Sequence, residues 1–248
     1  ELDYLEGLGY DTSLIKVAYN CHVVTDDHII EDSKDVTIGT TRTGNGPCYR
    51  DKVARVGKRA EDFKELNQFI IDISIDSFDG TILAEGAQGY WLDLDQGDYP
   101  YVTSSNCGVG AVINNGFSHK EINKVVGVAK AYSTYVGAKQ YQKTDDPIFE
   151  EIRKVGLEYG ATTGRSRQID WLDLNEVSVA CKRNGVDHLI INKLDVLEQL
   201  NCWKIYDPNF SINNILNFES KDSFKNYIES EISSVCPGIE IEFQESPH

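Results

Sequence analysis

The sequence predicts an α/β protein with a mostly parallel central sheet flanked by helices, one domain over residues 1–248. Three observations predict it. Short β-rich apolar runs at 13–24, 81–84, 125–134 and 188–192 alternate with stretches of helical periodicity, the order that builds parallel sheets. A chain of 248 residues can bury a full core without staples. The run 81–84, bounded by Asp79-Gly80 and Gly86, hands over to a long polar loop at 85–106. That is where open α/β sheets place small-molecule sites.

Taken in order, 13–24 is expected to be a buried strand, and Thr25-Asp-Asp-His28 its turn. His22 and His28 stand six apart across Asp26 and Asp27, a spacing that fits no usual metal-ligand pattern, so the cluster reads as a turn. In residues 38–55, Gly39, Gly44 and Gly46 free the backbone to aim N–H groups at an anion, and Thr40, Thr41 and Thr43 add hydroxyl donors. Behind this loop Arg50, Lys52, Arg55, Lys58 and Arg59 concentrate cations, with a solvated basic helix face as the competing reading. The loop is not the nucleotide P-loop, which needs GxxxxGK[ST]. Phe63, Leu66, Phe69 and Ile70 predict an amphipathic packing helix over 59–72.

The loop 85–106 carries Gln88, Asp93, Asp95, Asp98 and the run Thr103-Ser-Ser-Asn106; its composition suits a pocket or an ordinary solvated loop equally. Residues 108–116 contain GxG without GxGxxG, which argues against a dinucleotide site. A buried strand is expected at 125–134 and a helix at 149–159. Then follow Gly160-Ala-Thr-Thr-Gly-Arg-Ser-Arg167, where Arg165 and Arg167 offer guanidinium forks matched to carboxylate or phosphate; a turn with Arg paired to a nearby Asp is the alternative. Asp173 or Asn175 caps a helix that Asn184-Gly185 ends. Asn192-Lys-Leu-Asp195 follows an apolar strand and suits guanine, whose ring N–H and amine can pair with a carboxylate. A helix at 221–235 and an alternating strand at 239–243 complete the pattern.

Charge and composition exclude several classes. With 40 Asp and Glu against 24 Lys and Arg, the formal charge of -16 disfavours nucleic acid and anionic membranes as partners. No apolar run approaches the ~18 residues of a membrane span, and no signal pattern opens the chain. Six cysteines without a CxxC pair predict reduced thiols, no zinc site and a cytoplasmic protein. The lack of Met and the first residue Glu1 lead us to expect a portion of a longer protein.

Over residues 37–197 four motifs stand in one order: the Gly-Thr-Thr loop with Gly46-Pro47-x-Tyr49-x-x-Lys52-x-x-Arg55; Glu85-Gly-Ala-Gln-Gly through Tyr99-Pro-Tyr-Val-Thr-Ser-Ser-Asn106; Ala161-Thr-Thr-Gly-Arg-x-Arg167; and Lys193-Leu-Asp195. The set resembles adenylosuccinate synthetase, which joins aspartate to IMP using GTP. The resemblance implies a P-loop NTPase-like ligase fold, present in part. It implies IMP contacts from Thr41, Arg55, Gln88, Leu92, Thr103 and Arg165, with Arg55 reaching the partner's site in a homodimer. Aspartate would meet Ala161, Thr162, Thr163, Gly164, Arg165, Ser166 and Arg167; GTP would meet Arg167, Lys193, Leu194 and Asp195; Lys52 is the motif lysine marked for catalysis.

The family's Asp base, His acid and Mg²⁺ ligands fall in a preceding segment not included here, so this portion is expected to hold no metal and to be inactive alone. Thr43, Asn45 and Tyr135 depart from the family pattern, as does Glu245-Ser-Pro-His248 where Ser-x-Gly-Pro is usual; these leave an altered purine open. Two alternatives stand beside the IMP reading. One is a phage-type synthetase adding aspartate to dGMP, against which Asp195 weighs because those relatives are expected to use ATP. The other is a non-catalytic dimer binding GTP or another purine nucleotide.

Overall fold

The computed structural model describes residues 2–73, 80–161, 163–209 and 214–246. Helix α1 (Leu2–Gly7) precedes strand β1 (Val17–Ala18), and two short helices, α2 (Asp26–Asp32) and α3 (Asn45–Ala54), pack on each other before strand β2 (Ile70–Ile71) pairs parallel with β1. Here the structure corrects four expectations. The strand foreseen at 13–24 has only two residues, both half-buried, and the turn foreseen at 25–28 opens α2. Thr25 is extended there, Asp26 and Asp27 occupy the first turn, and the Thr25 N–H donates to His28 Nδ1 at 3.0 Å, as a helix N-terminus favours. The helix foreseen at 59–72 is instead two 3₁₀ turns, Ala60–Asp62 and Lys64–Leu66, and then β2. Its apolar stripe buries none of Phe63, Leu66, Phe69 or Ile70 fully, so no packing surface rewards a helix. Residues 81–84 form no strand; Leu83 is 87% exposed and pairs with no neighbouring strand.

The remaining elements follow in order. After α4 (Gly110–Asn114), strand β3 (Val126–Lys130) enters the sheet, and β4 (Ser133–Tyr135) leaves it. The single strand expected at 125–134 is thus two, split at the buried pair Ala131-Tyr132. Helix α5 (Ile148–Val155) leads to β5 (Gln168–Asp170), which pairs antiparallel with β4. Then come α6 (Leu174–Asn184), β6 (His188–Asn192), α7 (Leu194–Gln199), an antiparallel hairpin of β7 (Lys204–Tyr206) and β8 (Ile215–Asn217), α8 (Lys221–Val235) and β9 (Glu240–Phe243). The three-stranded parallel sheet runs β3-β6-β9, with Val126 opposite His188 and Ile191 opposite Phe243.

Local chemistry accounts for these elements. Asp173 accepts the N–H groups of Asn175 and Glu176 at 3.0 and 3.4 Å to cap α6, and Gly185 ends it at a φ of 61°. In α8, Phe224, Ile228 and Ile232 recur every four residues and are all buried. They meet Leu189 and Ile191 of β6, Ile152 of α5, Ile169, Trp171 and Leu197 in one core. Each such fully buried side chain contributes on the order of 1.5–3 kcal/mol. Lys130 and Asn192, the last residues of β3 and β6, are register partners, so both strands deliver their following loops to one edge. All six cysteines are free, and among the described residues no helix is long and apolar enough to cross a membrane.

Candidate functional site

A cleft of about 2040 Å³ flanks β3 along its whole length, from Val126 to Lys130. On one side is the Gly-Thr-Thr loop. Its carbonyls are gripped from afar: Ala138 N donates to Ile38 O at 3.1 Å, and Arg165 Nη1 donates to Gly39 O at 3.0 Å. Gly39 has a φ of 73°, and a Cβ there would sit 2.9 Å from Ala138 N, so only glycine fits. The loop's amides are partly spoken for. Asp35 accepts the N–H groups of Thr37, Ile38 and Gly39 at 3.1–3.3 Å, and Asp32 accepts that of Gly44 at 2.9 Å. The expected anion-facing amides of Gly39 and Gly44 are therefore bound to carboxylates. Burial alone would raise the Asp35 carboxyl; the backbone N–H groups outweigh it and hold it below its ordinary range. The hydroxyls of Thr41 and Thr43 bond each other at 2.8 Å, and Thr41 lines the cleft.

Gln88, Leu92 and Thr103 line the same cleft. Thr103 N donates to Leu92 O at 2.7 Å, which draws the two ends of the 85–106 loop together. Its organiser is Asp93, almost wholly buried, which accepts N–H groups from Asp95 at 2.9 Å, Gln96 at 3.0 Å and Cys107 at 2.6 Å. Burial pushes that carboxyl up, but the donated N–H groups win and hold it low.

Ala161, Thr163, Arg165 and Arg167 form the third wall. A tight loop presents them: Gly160 N donates to Arg165 O at 2.8 Å, Gly164 N to Gly160 O at 2.7 Å, and Tyr159 bridges Ser166. Behind Arg167 sits Glu158. Burial would raise its carboxyl, yet the Lys130 ammonium, the Tyr132 hydroxyl and the Arg167 guanidinium hold it below the usual range. Thr162 lies outside the described residues; Gly164 and Ser166 shape the loop without lining the cleft.

The Lys-x-Asp turn stands beyond this wall. Lys193, at a φ of 66°, donates from Nζ to Gly156 O at 3.0 Å. The Asp195 carboxylate accepts from Ser246 N at 2.7 Å and Ser246 Oγ at 2.9 Å. Burial raises its carboxyl, but the Ser246 donors and the Lys193 charge lower it overall. Ser246 of the Glu245-Ser-Pro-His248 segment thus reaches the carboxylate of the Lys-x-Asp turn; Pro247 and His248 lie outside the described residues. Leu194 buries its side chain in the core, so it offers a ligand its backbone alone. Lys52 and Arg55 are exposed on and after α3, and neither lines the cleft; the Lys52 ammonium sits 5.5 Å from the Tyr49 ring centre. Sequence reasoning missed Asp35, Lys130 and Glu158, and it placed Asp93 in the polar loop without a role. Only Asp35 and Asp93, each followed within four residues by amides it can cap, left a local signal.

Among the described residues no group of three or more His, Cys, Asp or Glu stands close enough to hold a metal ion.

A parallel α/β sheet flanked by helices, with polar loops gathered around one cleft beside it, is an architecture of nucleotide-handling enzymes. Within that class the chain belongs to the adenylosuccinate synthetase family: the family's sequence model, described as adenylosuccinate synthetase, matches residues 1–77 and 70–216. Adenylosuccinate synthetases of Brevibacillus brevis and Shouchella clausii are 36% and 38% identical to it over 83% of the chain. The chain spans 61% of the length of each. Among solved structures, a fully ligated adenylosuccinate synthetase from Plasmodium falciparum matches with a TM-score of 0.77 at 24% identity, over 98% of this chain and 78% of that one. A cyanophage S-2L succinoaminodeoxyadenylate synthetase bound to dGMP and dATP matches with a TM-score of 0.63 at 21% identity, over 93% and 76%. At those identities both likenesses speak for the fold.

Proposed function

We propose that this chain supplies the IMP, aspartate and guanine contacts of a ligase that joins L-aspartate to IMP with GTP, giving adenylosuccinate, GDP and phosphate. The observation that carries the reading is the Arg165 to Gly39 bond. It closes the aspartate-type loop onto the phosphate-type loop across 126 residues of sequence, around the cleft that Gln88, Leu92 and Thr103 line. Two anion sites so joined suit a nucleotide phosphate beside a dicarboxylate. In this reading Thr41, Gln88, Leu92, Thr103 and Arg165 meet IMP; residues 161–167 receive the aspartate carboxylates; Lys193 and Asp195 read guanine.

The chemistry divides in two. The purine oxygen attacks the GTP γ-phosphate, and the aspartate amine then displaces phosphate from the 6-phosphoryl intermediate. The residues of this chain act by holding the reactants in line and compensating charge. Proton transfer and Mg²⁺ binding are assigned to residues outside this chain, Lys52 keeps its place as the motif lysine of the catalytic set, and Arg55 is assigned to a second subunit's site in a homodimer, whose existence light scattering of the full-length protein tests directly.

In the full-length protein, IMP, aspartate and GTP together should yield adenylosuccinate, read by its ultraviolet absorbance; no product would refute the reading. Replacing IMP by dGMP and GTP by ATP tests the phage-type alternative, which Asp195 disfavours. Asp195→Asn should raise the GTP requirement about ten- to a hundredfold, the worth of hydrogen bonds to a charged group. Equal use of ATP and GTP by the unaltered protein would overturn the guanine assignment.

A further inference from the structure

We propose that Glu158 is the positioning residue for Arg167, fixing the arginine fork in the cleft and setting its distance from the Lys193 turn. The inference rests on Arg167 being an anion contact, as proposed above. The Glu158 side chain is 2% exposed and carries three donors: Lys130 Nζ at 2.8 and 2.6 Å to its two oxygens, the Tyr132 hydroxyl at 2.8 Å, and Arg167 Nη1 at 2.9 Å. Lys130 also donates to Thr134 Oγ1 at 3.2 Å, which commits all three of its protons. Arg167 is different. Its bond to Glu158 uses one nitrogen of a guanidinium that lines the cleft and remains 30% exposed, so the fork keeps donors for another anion.

The backbone repeats the tie. Arg167 N donates to Glu158 O at 3.0 Å, and Arg153 Nε to Arg167 O at 2.8 Å, so residue 167 is held from main chain and side chain alike. Two residues before Glu158, Gly156 O takes the Lys193 ammonium at 3.0 Å. A Cβ on Gly156 would fall 2.4 Å from the Tyr132 hydroxyl and 2.8 Å from Ile152 O, so the turn is pressed against the same cluster. Residues 156–158 therefore join the arginine fork to the Lys-x-Asp turn. One carboxylate also stands between two cations that would otherwise repel each other at the cleft wall. A buried triad of this kind is a poor device for stability alone, since apolar replacements of equal volume often serve as well.

The test uses Glu158→Gln, Arg167→Leu and the double variant in the full-length protein. Glu158→Gln should raise the aspartate KM about tenfold or more and leave the IMP KM within about twofold, because among the described residues no hydrogen bond or ion pair of the cluster reaches Thr41, Gln88 or Thr103. In the Arg167→Leu background Glu158→Gln should add no further change, the non-additivity expected of a residue acting through another. An unchanged aspartate KM, or single effects that multiply in the double variant, would overturn the inference alone. Arg167→Leu without effect on either aspartate saturation or turnover would remove the carboxylate-fork reading and this inference with it. Should circular dichroism show Glu158→Gln unfolded, Glu158→Asp keeps the charge one methylene short. It should shift the aspartate KM in the same direction by less, again without addition to Arg167→Leu.

Discussion

Residues 2–123 and 125–246 are held together by different forces. Among the described residues, only Cys48 and Ala60 of the buried apolar side chains belong to the first region; all the others, from Ala131 to Ile232, belong to the second. What the first region buries instead is polar, with Asp32 and Asp93 each turned inward onto backbone N–H groups. One half is a core with loops; the other is loops tied by carboxylates. The candidate site uses both, setting the loops of the first against the arginine fork of the second. Segments with few apolar contacts are the ones that can rearrange at low cost, which suits loops that must close on a ligand.

The sharpest way to break this comparison is to truncate one apolar residue in each region. Ile191, fully buried in the middle strand, should cost about 2–5 kcal/mol as Ile191→Ala. Leu83→Ala, at a residue 87% exposed, should stay within about 0.5 kcal/mol. Urea unfolding measures both. Equal costs would mean that the first region has an apolar core after all.

The same contrast explains what could be read from the sequence. The patterns for α6, α8, β6 and β9 were legible because a buried face imposes periodicity, and Phe224, Ile228 and Ile232 obey it. The patterns at 13–24, 59–72 and 81–84 misled because, Ala60 apart, none of their apolar side chains is fully buried, and propensity without burial decides little. At the site, Thr41, Gln88, Thr103, Arg165 and Arg167 were legible as ordered motifs, and the structure sets them around one cleft. Glu158 was not, because its partners Lys130 and Tyr132 lie 28 and 26 residues away and no spacing rule links them. Asp93 likewise meets Cys107 across 14 residues. A carboxylate chosen to accept an amide looks, in sequence, like any turn aspartate.

A second test sharpens the claim that carboxylates hold the first region. Asp93→Asn replaces a charged acceptor of three N–H groups and should cost about 1–3 kcal/mol locally. The Asp93 carboxyl is held below its ordinary value in the folded chain, so its contribution is present above the unfolded value and is lost as pH falls through the folded one. The protection factor of the Cys107 amide against hydrogen exchange should therefore fall below about pH 4 in the natural protein. In Asp93→Asn the protection factor should be low throughout and flat with pH over that window. An amide equally protected in both would assign the loop's order to something other than Asp93.

The smallest expected effect places the same chemistry in the other region. Asp173 accepts two N–H groups at the start of α6, much as Asp93 does in its loop, but Leu174, Ser178 and Cys181 behind it are buried in the core. Asp173→Ala should cost about 1 kcal/mol, the usual worth of a helix cap, and leave the helix formed. Far-ultraviolet circular dichroism should be unchanged while the urea midpoint falls slightly. The loss is small because packing, not the cap, fixes the path of α6, whereas among the described residues the buried apolar core does not extend to Asp93. If Asp173→Ala unfolded α6, carboxylates would be as decisive in the core region as in the loops, and the division between the two halves would disappear.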